Sequence, residues 1–237
     1  MQKQDFSSGR RINKHSISQP KRGGNKGSTL FRALAGAEST FRGAYGRCEG
    51  KRCFLAMYGK VYGACLYGVE GQIIDVEVDI SNGLPQLNIV GLPDSAVRES
   101  IERVRAAIKN CGAEYPMRRI TVNLAPADLR KEGASFDLAI AAGILTTSGQ
   151  WRIHDAERTL MIGELSLDGS LRPVPGVLSM VDAAKRRGLR KVLLPAQNAA
   201  EARLIDGMEI FGLRHLSDLE RLADGSFSDN EADVHPV

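Results

Sequence analysis

Cysteine, aromatic residues and long apolar runs are all scarce in this chain of 237 residues, and each scarcity removes a class of function. The four cysteines, Cys48, Cys53, Cys65 and Cys111, form no CxxC pair and have no accompanying histidines, which excludes a zinc motif of the usual spacing. With no signal-peptide pattern before them, they read as reduced thiols of a cytoplasmic protein. His15, His154, His215 and His235 are scattered and read as surface residues. No apolar run reaches the roughly 18 residues of a membrane span. A phosphate-cradling Gly-x-x-x-x-Gly-Lys-Ser/Thr loop is also missing; Lys26-Gly27-Ser28 has the residue types in the wrong order. This polypeptide alone is therefore expected neither to hydrolyse ATP nor to hold a metal or cofactor.

What remains is 43% apolar and 25% charged, the make-up of a soluble protein of one or two domains. The net charge of +4 hides an asymmetry: residues 1–56 hold twelve Lys/Arg against three acids, a balance of +9, and the rest holds twenty against twenty-five, a balance of −5. Residues 1–56 lack sustained apolar periodicity and read as a disordered basic tail. Three origins compete for it: a nucleic-acid-binding arm, a targeting peptide, or sequence upstream of a true start at Met57. The last is favoured, because a periodic, foldable segment begins at Met57. Residues 57–222 are long enough for one domain burying roughly 70% of its unfolded surface, and residues 223–237 read as a disordered acidic tail.

Strand and helix signals alternate from Met57 onward. Lys60 to Tyr67 and Gln72 to Ile80 read as neighbouring strands; in the second, Ile74, Val76, Val78 and Ile80 alternate with Asp75, Glu77 and Asp79, the period of a half-buried strand. Asn82-Gly83 supplies a turn, and Gln86 to Val90 reads as a third antiparallel strand, completing a meander. Asp94 is placed to cap a helix whose apolar face is Val97, Ile101, Val104 and Ile108, closed by Gly112. Its face bearing Arg98, Arg105 and Lys109 also carries Glu99 and Glu102, and reads as solvated rather than phosphate-binding. Arg119 to Leu124 is a strand, Phe136 to Leu145 a helix apolar nearly all round, and Leu160 to Leu165 a further strand before a turn at Asp168-Gly169. Val177 to Arg187, Lys191 to Leu194, Ala199 to Ile205 and Glu209 to Phe211 continue as helix, strand, helix and strand. The fold class is α/β, of the α+β kind, with a mixed sheet and packed helices.

Three stretches carry a family resemblance: Ile80-Ser-Asn-Gly-Leu-Pro-Gln-Leu-Asn-Ile-Val-Gly-Leu-Pro-Asp94, Val97-Arg-Glu-Ser-Ile-Glu-Arg-Val-Arg-Ala-Ala-Ile108 and Ile120-Thr-Val-Asn-Leu-Ala-Pro-Ala-Asp-Leu-Arg-Lys-Glu-Gly-Ala-Ser-Phe-Asp-Leu-Ala139. They resemble the amino-terminal domain of the YifB/ComM family, the magnesium-chelatase-like AAA+ ATPases. That domain is built like the proteolytic domain of Lon, with a fold similar to ribosomal protein S5 domain 2. The resemblance covers about residues 57 to 222. It implies a hexameric motor using ATP and magnesium, implicated in DNA processing during competence and recombination. The ATPase that should follow is absent here, so a truncated version, a separately encoded remnant or a fragment from an altered reading frame is expected, with an AAA+ module, a homo-oligomer or DNA as partner and no membrane.

The resemblance also directs attention to Pro126 to Ser135. Aligning Lys131-Glu-Gly-Ala-Ser135 with the nucleophile loop of Lon-type peptidases puts Ser135 at the serine's place. Such a serine needs a base, which Lon-type enzymes take from a lysine after a Pro-Val-Gly-Gly-Ile sequence; the matching segment here, Gly163 to Leu178, has Leu178 at that position. Leucine takes no proton, and nothing in the sequence suppresses the charge of Lys131 so that it can substitute. No catalytic residue is assigned; Ser135 would be one only if the chain were a Lon-type serine peptidase, the alternative reading. Ser135 is expected to cap the helix after it. Asp128 is expected to cap a turn and Asp137 to lie in a first helical turn. The leading expectation is a non-catalytic Lon-like module for assembly or for DNA or substrate engagement; a second alternative is nucleic-acid binding through the basic tail.

Overall fold

The computed structural model describes residues 47–48, 51–52 and 57–227. In chain order the elements are β1 (Arg47–Cys48), β2 (Lys51–Arg52), β3 (Met57–Tyr67), β4 (Glu70–Ser81), β5 (Gln86–Val90), α1 (Ser95–Asn110), β6 (Arg119–Ala125), α2 (Asp137–Thr147), β7 (Thr159–Met161), β8 (Glu164–Leu165), β9 (Leu171–Arg172), α3 (Val177–Arg186), β10 (Lys191–Pro195), α4 (Ala199–Ala202), β11 (Glu209–Leu213) and α5 (Asp218–Ala223). Strands β3 to β7 with β10 and β11 form a seven-stranded mixed sheet in the order β11-β10-β7-β3-β4-β6-β5. The ladders β3/β4 and β4/β6 are antiparallel, and the other four are parallel.

The long β3/β4 hairpin is the centre of the sheet, in register from Met57↔Ile80 to Tyr67↔Glu70. Alternation along β4 works as the sequence implies: Ile74, Val76, Val78 and Ile80 are fully buried. The polar set lies on the opposite face. There Asp75 pairs with Lys60 at 2.6 Å and Arg187 at 2.8 Å, while Glu77 accepts from Tyr58 and from Asn123. Helices α1 and α2 cover the first face, with Val97, Val104, Ile108 and the apolar side chains of α2 in one core with Val61, Val76, Val122 and Leu124. Helices α3 and α4 cover part of the second face over Ala64, Ile73, Leu160, Val192 and Leu194.

Helix α1 begins as expected, with Asp94 Oδ1 accepting the Val97 N–H at 2.8 Å, and Gly112 turns the chain away at φ 80°. Its fully buried stripe is Val97, Ser100, Val104, Ala107 and Ile108; Ile101, counted in the apolar face from its spacing, is only half-buried. Two strand readings also need correction. The strand Gln86 to Val90 does not complete a meander: β5 runs parallel to β6 at the sheet edge, in register from Gln86↔Arg119 to Val90↔Asn123. The fully buried Ile120, Val122 and Leu124 take β6 to the inner position, and the crossover through α1 leaves the half-exposed β5 outside. Nor is Leu160 to Leu165 one strand. Gly163 donates to the Ser135 carbonyl at 3.0 Å and accepts from the Leu138 N–H at 3.1 Å. Its backbone is thereby taken out of the main ladder, and β8 pairs with β9 instead.

The readings of residues 1–56 and 223–237 as tails fall mostly outside the described residues. Within those described, α5 reaches Ala223, and Phe227 packs on Phe211 with ring centroids 6.3 Å apart.

At one point helix and sheet touch backbone to backbone. A Cβ on Gly71 would lie 2.1 Å from the Ser179 carbonyl oxygen and 2.7 Å from Met180 Cα, so α3 sits directly on β4. Gly71→Ala is expected to lower unfolding stability by about 1–3 kcal/mol through overpacking. Urea denaturation of both proteins, compared by midpoint at equal slope, measures it.

Candidate functional site

The loop between β6 and α2 is fastened on two sides before any side chain acts. Lys131 exchanges backbone hydrogen bonds with the segment after β5: its N–H donates to Leu92 at 3.1 Å, and its carbonyl accepts from Asp94 at 3.0 Å. Asp94 Oδ2 accepts from the Gly133 N–H at 3.3 Å, so one carboxylate caps α1 and holds the loop. The far end is tied to β3, where the Ser135 hydroxyl donates to the Ala64 carbonyl at 2.8 Å.

Lys131 lies inside this loop with no exposed surface. Its ammonium donates to the carbonyls of Pro126 and Leu129, the latter at 2.6 Å. Burial lowers its pKa, opposed by nearby Cys65 and Asp128. The surroundings of Lys131 thus disfavour its charge, a shift that spacing in the sequence did not show. Its donors nevertheless serve its own loop, and the amine acts as an internal strut. Cys65 beside it is 2% exposed, and desolvation pushes its thiol up to about 11 despite the lysine.

Ser135 is 8% exposed and does not cap α2, contrary to expectation. The residue preceding that helix is Phe136, with no side-chain cap, and the serine hydroxyl points back to the sheet. Its acceptor is a carbonyl, which orients the hydroxyl but takes no proton, so this contact lacks the base that a serine nucleophile requires. Leu178, which the resemblance aligns with the Lon-type lysine, is the second residue of α3 and 37% exposed. The start of α3 is pressed onto β3, where a Cβ on Gly176 would meet Leu66 Cδ1 at 2.4 Å.

Other sequence candidates separate. Asp128 is exposed in a turn, whereas Asp137 is fully buried in the first turn of α2 and bound to Arg103. Among the described residues no group of three or more His, Cys, Asp or Glu is placed to hold a metal ion. His215, read as an isolated surface residue, has partners: Asp168 O at 2.9 Å from Nε2, with Ser217 Oγ at 2.7 Å and Cys111 Sγ at 4.0 Å from Nδ1. Donation to the carbonyl leaves Nδ1 as the acceptor. Cys111 lies 104 residues away in the chain, which is why spacing did not reveal the pair.

The family model for subunit ChlI of Mg-chelatase matches residues 76–198, a span running from the second half of β4 through the loop with Ser135 to α3 and β10. The chain belongs to this family. Among curated relatives, YifB of Salmonella typhimurium is 48% identical over 149 residues, 63% of this chain and 29% of the relative. Competence protein ComM of Haemophilus influenzae is 41% identical over 165 residues, 70% of this chain and 32% of the relative. Lon protease 2 of Bacillus subtilis is 29% identical over 174 residues, 66% of this chain and 31% of the relative. The chain thus spans about a third of the length of the curated relatives it matches. The YifB/ComM resemblance stands, and the mixed α/β architecture fits a ChlI and Lon-like fold.

Within this ChlI-family chain the strongest charge contact near the loop is the Arg103–Asp137 pair, which joins α1 to α2. Arg103 donates through Nε at 2.7 Å and Nη2 at 3.1 Å, and the Leu165 N–H adds a third bond at 3.1 Å. Even so, burial raises Asp137 to about 6, with Arg103 opposing the rise and itself held more firmly protonated. A carboxyl raised in the folded state stabilises the fold most below its unfolded pKa near 4, and this stabilisation is lost as pH rises through about 6. Wild type should therefore gain about 1 kcal/mol on going from pH 7 to pH 5 relative to Asp137→Asn. Denaturant titrations of both proteins at the two pH values give this difference, which the idea requires to be positive.

Proposed function

We propose that the chain is a non-catalytic Lon-like module of a YifB/ComM-type, magnesium-chelatase-like AAA+ ATPase. The observation carrying this reading is the state of Ser135, whose buried hydroxyl is committed to the Ala64 carbonyl while Leu178 stands at the base's position. A Lon-type reaction needs a lysine to take the serine proton. The lysine nearest in sequence, Lys131, spends its donors on Pro126 and Leu129.

In this reading the domain's work is assembly, or engagement of DNA or another substrate, for a motor located in the part of its relatives that the chain does not span. The name of the Haemophilus relative, competence protein ComM, supports a setting in competence, and a role in recombination is part of the proposal. The motor would use ATP and magnesium; this polypeptide would not turn over ATP by itself. No helix among the described residues is long and apolar enough to cross a membrane, and a cytoplasmic location is part of the proposal.

Casein and short fluorogenic peptides incubated with the purified chain and with Ser135→Ala should be cleaved no faster than in a matched blank. ATP turnover should likewise remain at the blank's rate. Peptide cleavage that Ser135→Ala abolishes would establish a serine peptidase instead.

A further inference from the structure

The proposed reading leaves open where this domain would meet nucleic acid. Outside residues 1–56 the chain has a charge balance of −5, so a concentration of cations on its surface runs against the average. One exists at the end of the sheet where β7 and β10 begin. Their parallel register sets Lys191 beside Thr159, and Arg190 N–H donates to the Arg158 carbonyl at 2.9 Å. Two remote segments thereby share one rim: residues 152–158, and residues 185–191 at the end of α3. Arg152, Arg158, Lys185, Arg186, Arg187 and Arg190 are exposed there. Lys191 completes the set, its ammonium 5.5 Å from the Phe211 ring centroid.

Seven of the twenty cations outside the first 56 residues thus lie on one rim. Five acids accompany them, Asp75, Asp155, Glu157, Asp182 and Glu209. Asp182 is taken up by Arg186 at 3.2 Å, while Arg187 turns to Asp75 on the open sheet face. Among the described residues, Arg158, Lys185 and Arg190 have no carboxylate partner. Cations in the last turn of a helix complement its dipole, which accounts for Lys185 and Arg186. It does not account for Arg158 and Arg190, which lie outside the helix and are brought to it by strand pairing.

We propose that this rim, formed by residues 152–158 and 185–191, binds the phosphate backbone of nucleic acid. The proposal rests on reading the domain as one that engages DNA, and it assigns the contact to the folded surface rather than to the basic segment before Met57 or to the face of α1. Phosphate contacts of this kind release counterions, giving a binding constant that falls steeply with salt and carries little sequence preference.

The test uses the full chain and a labelled single-stranded DNA of about 30 nucleotides, with binding followed by fluorescence anisotropy across a salt series. The triple variant Arg158→Glu, Lys185→Glu, Arg190→Glu should bind at least about tenfold more weakly near 0.15 M salt, with a log–log salt slope shallower by about 2. A matched variant, Arg98→Glu, Arg105→Glu, Lys109→Glu, makes the same charge change on α1, which packs on the other face of the sheet. It should lose about threefold or less, because exposed charges farther apart than roughly 8 Å are screened at this salt. Both variants should keep the wild-type melting temperature. Failure of the wild-type chain to bind DNA would refute DNA engagement and the rim together. Binding that the rim variant leaves unchanged, or that both variants weaken equally, would overturn the rim assignment while DNA engagement stands.

Discussion

Complete burial of α2 is the constraint on which the rest of the site depends. All eleven of its residues are buried, each large aliphatic one contributing about 1.5–3 kcal/mol by leaving water. The helix is held between β3 and β4 on one side and α1 on the other. A helix so enclosed has no wet face on which to place charge, so its one acid, Asp137, requires Arg103 from α1 and the Leu165 N–H. The same enclosure governs how the chain enters the helix. Phe136 must be inside, and Ser135, one residue earlier, is drawn against β3 and bonded to Ala64 instead of capping the helix.

The loop leading to Ser135 is correspondingly rigid in its connections. Lys131 satisfies two carbonyls from within, Asp94 holds Gly133 from α1, and Leu92 and Asp94 hold the Lys131 backbone. In a peptidase this geometry would present a serine to a base. Here it presents a hydroxyl to the Ala64 carbonyl of β3. The polar groups of the loop are spent on holding the loop together.

Much of the fold was legible because burial follows periodicity. The alternation on β4, the Asp94 cap and the all-apolar α2 each depend on neighbours within a few residues, where side-chain spacing and backbone geometry are coupled. The misreadings share a different cause. Placing β5 next to β4 ignored that β6, more apolar at alternate positions, would claim the inner site. Running one strand from Leu160 to Leu165 ignored Gly163, whose backbone partners are Ser135 and Leu138. Assigning Ser135 as a cap weighed the helix start and could not weigh Ala64, which is 71 residues away. The same distance in sequence concealed the buried state of Lys131, the clustering of His215 with Cys111, and the union of residues 152–158 with 185–191.

By itself the sequence determined the family and the order of most elements, since these reside in residue identity and short-range pattern. Only the tertiary structure decided what the polar groups of the loop do. A lysine or serine hydroxyl has several possible partners, and which it takes depends on the strands and helices that fold around it and on how far they exclude water.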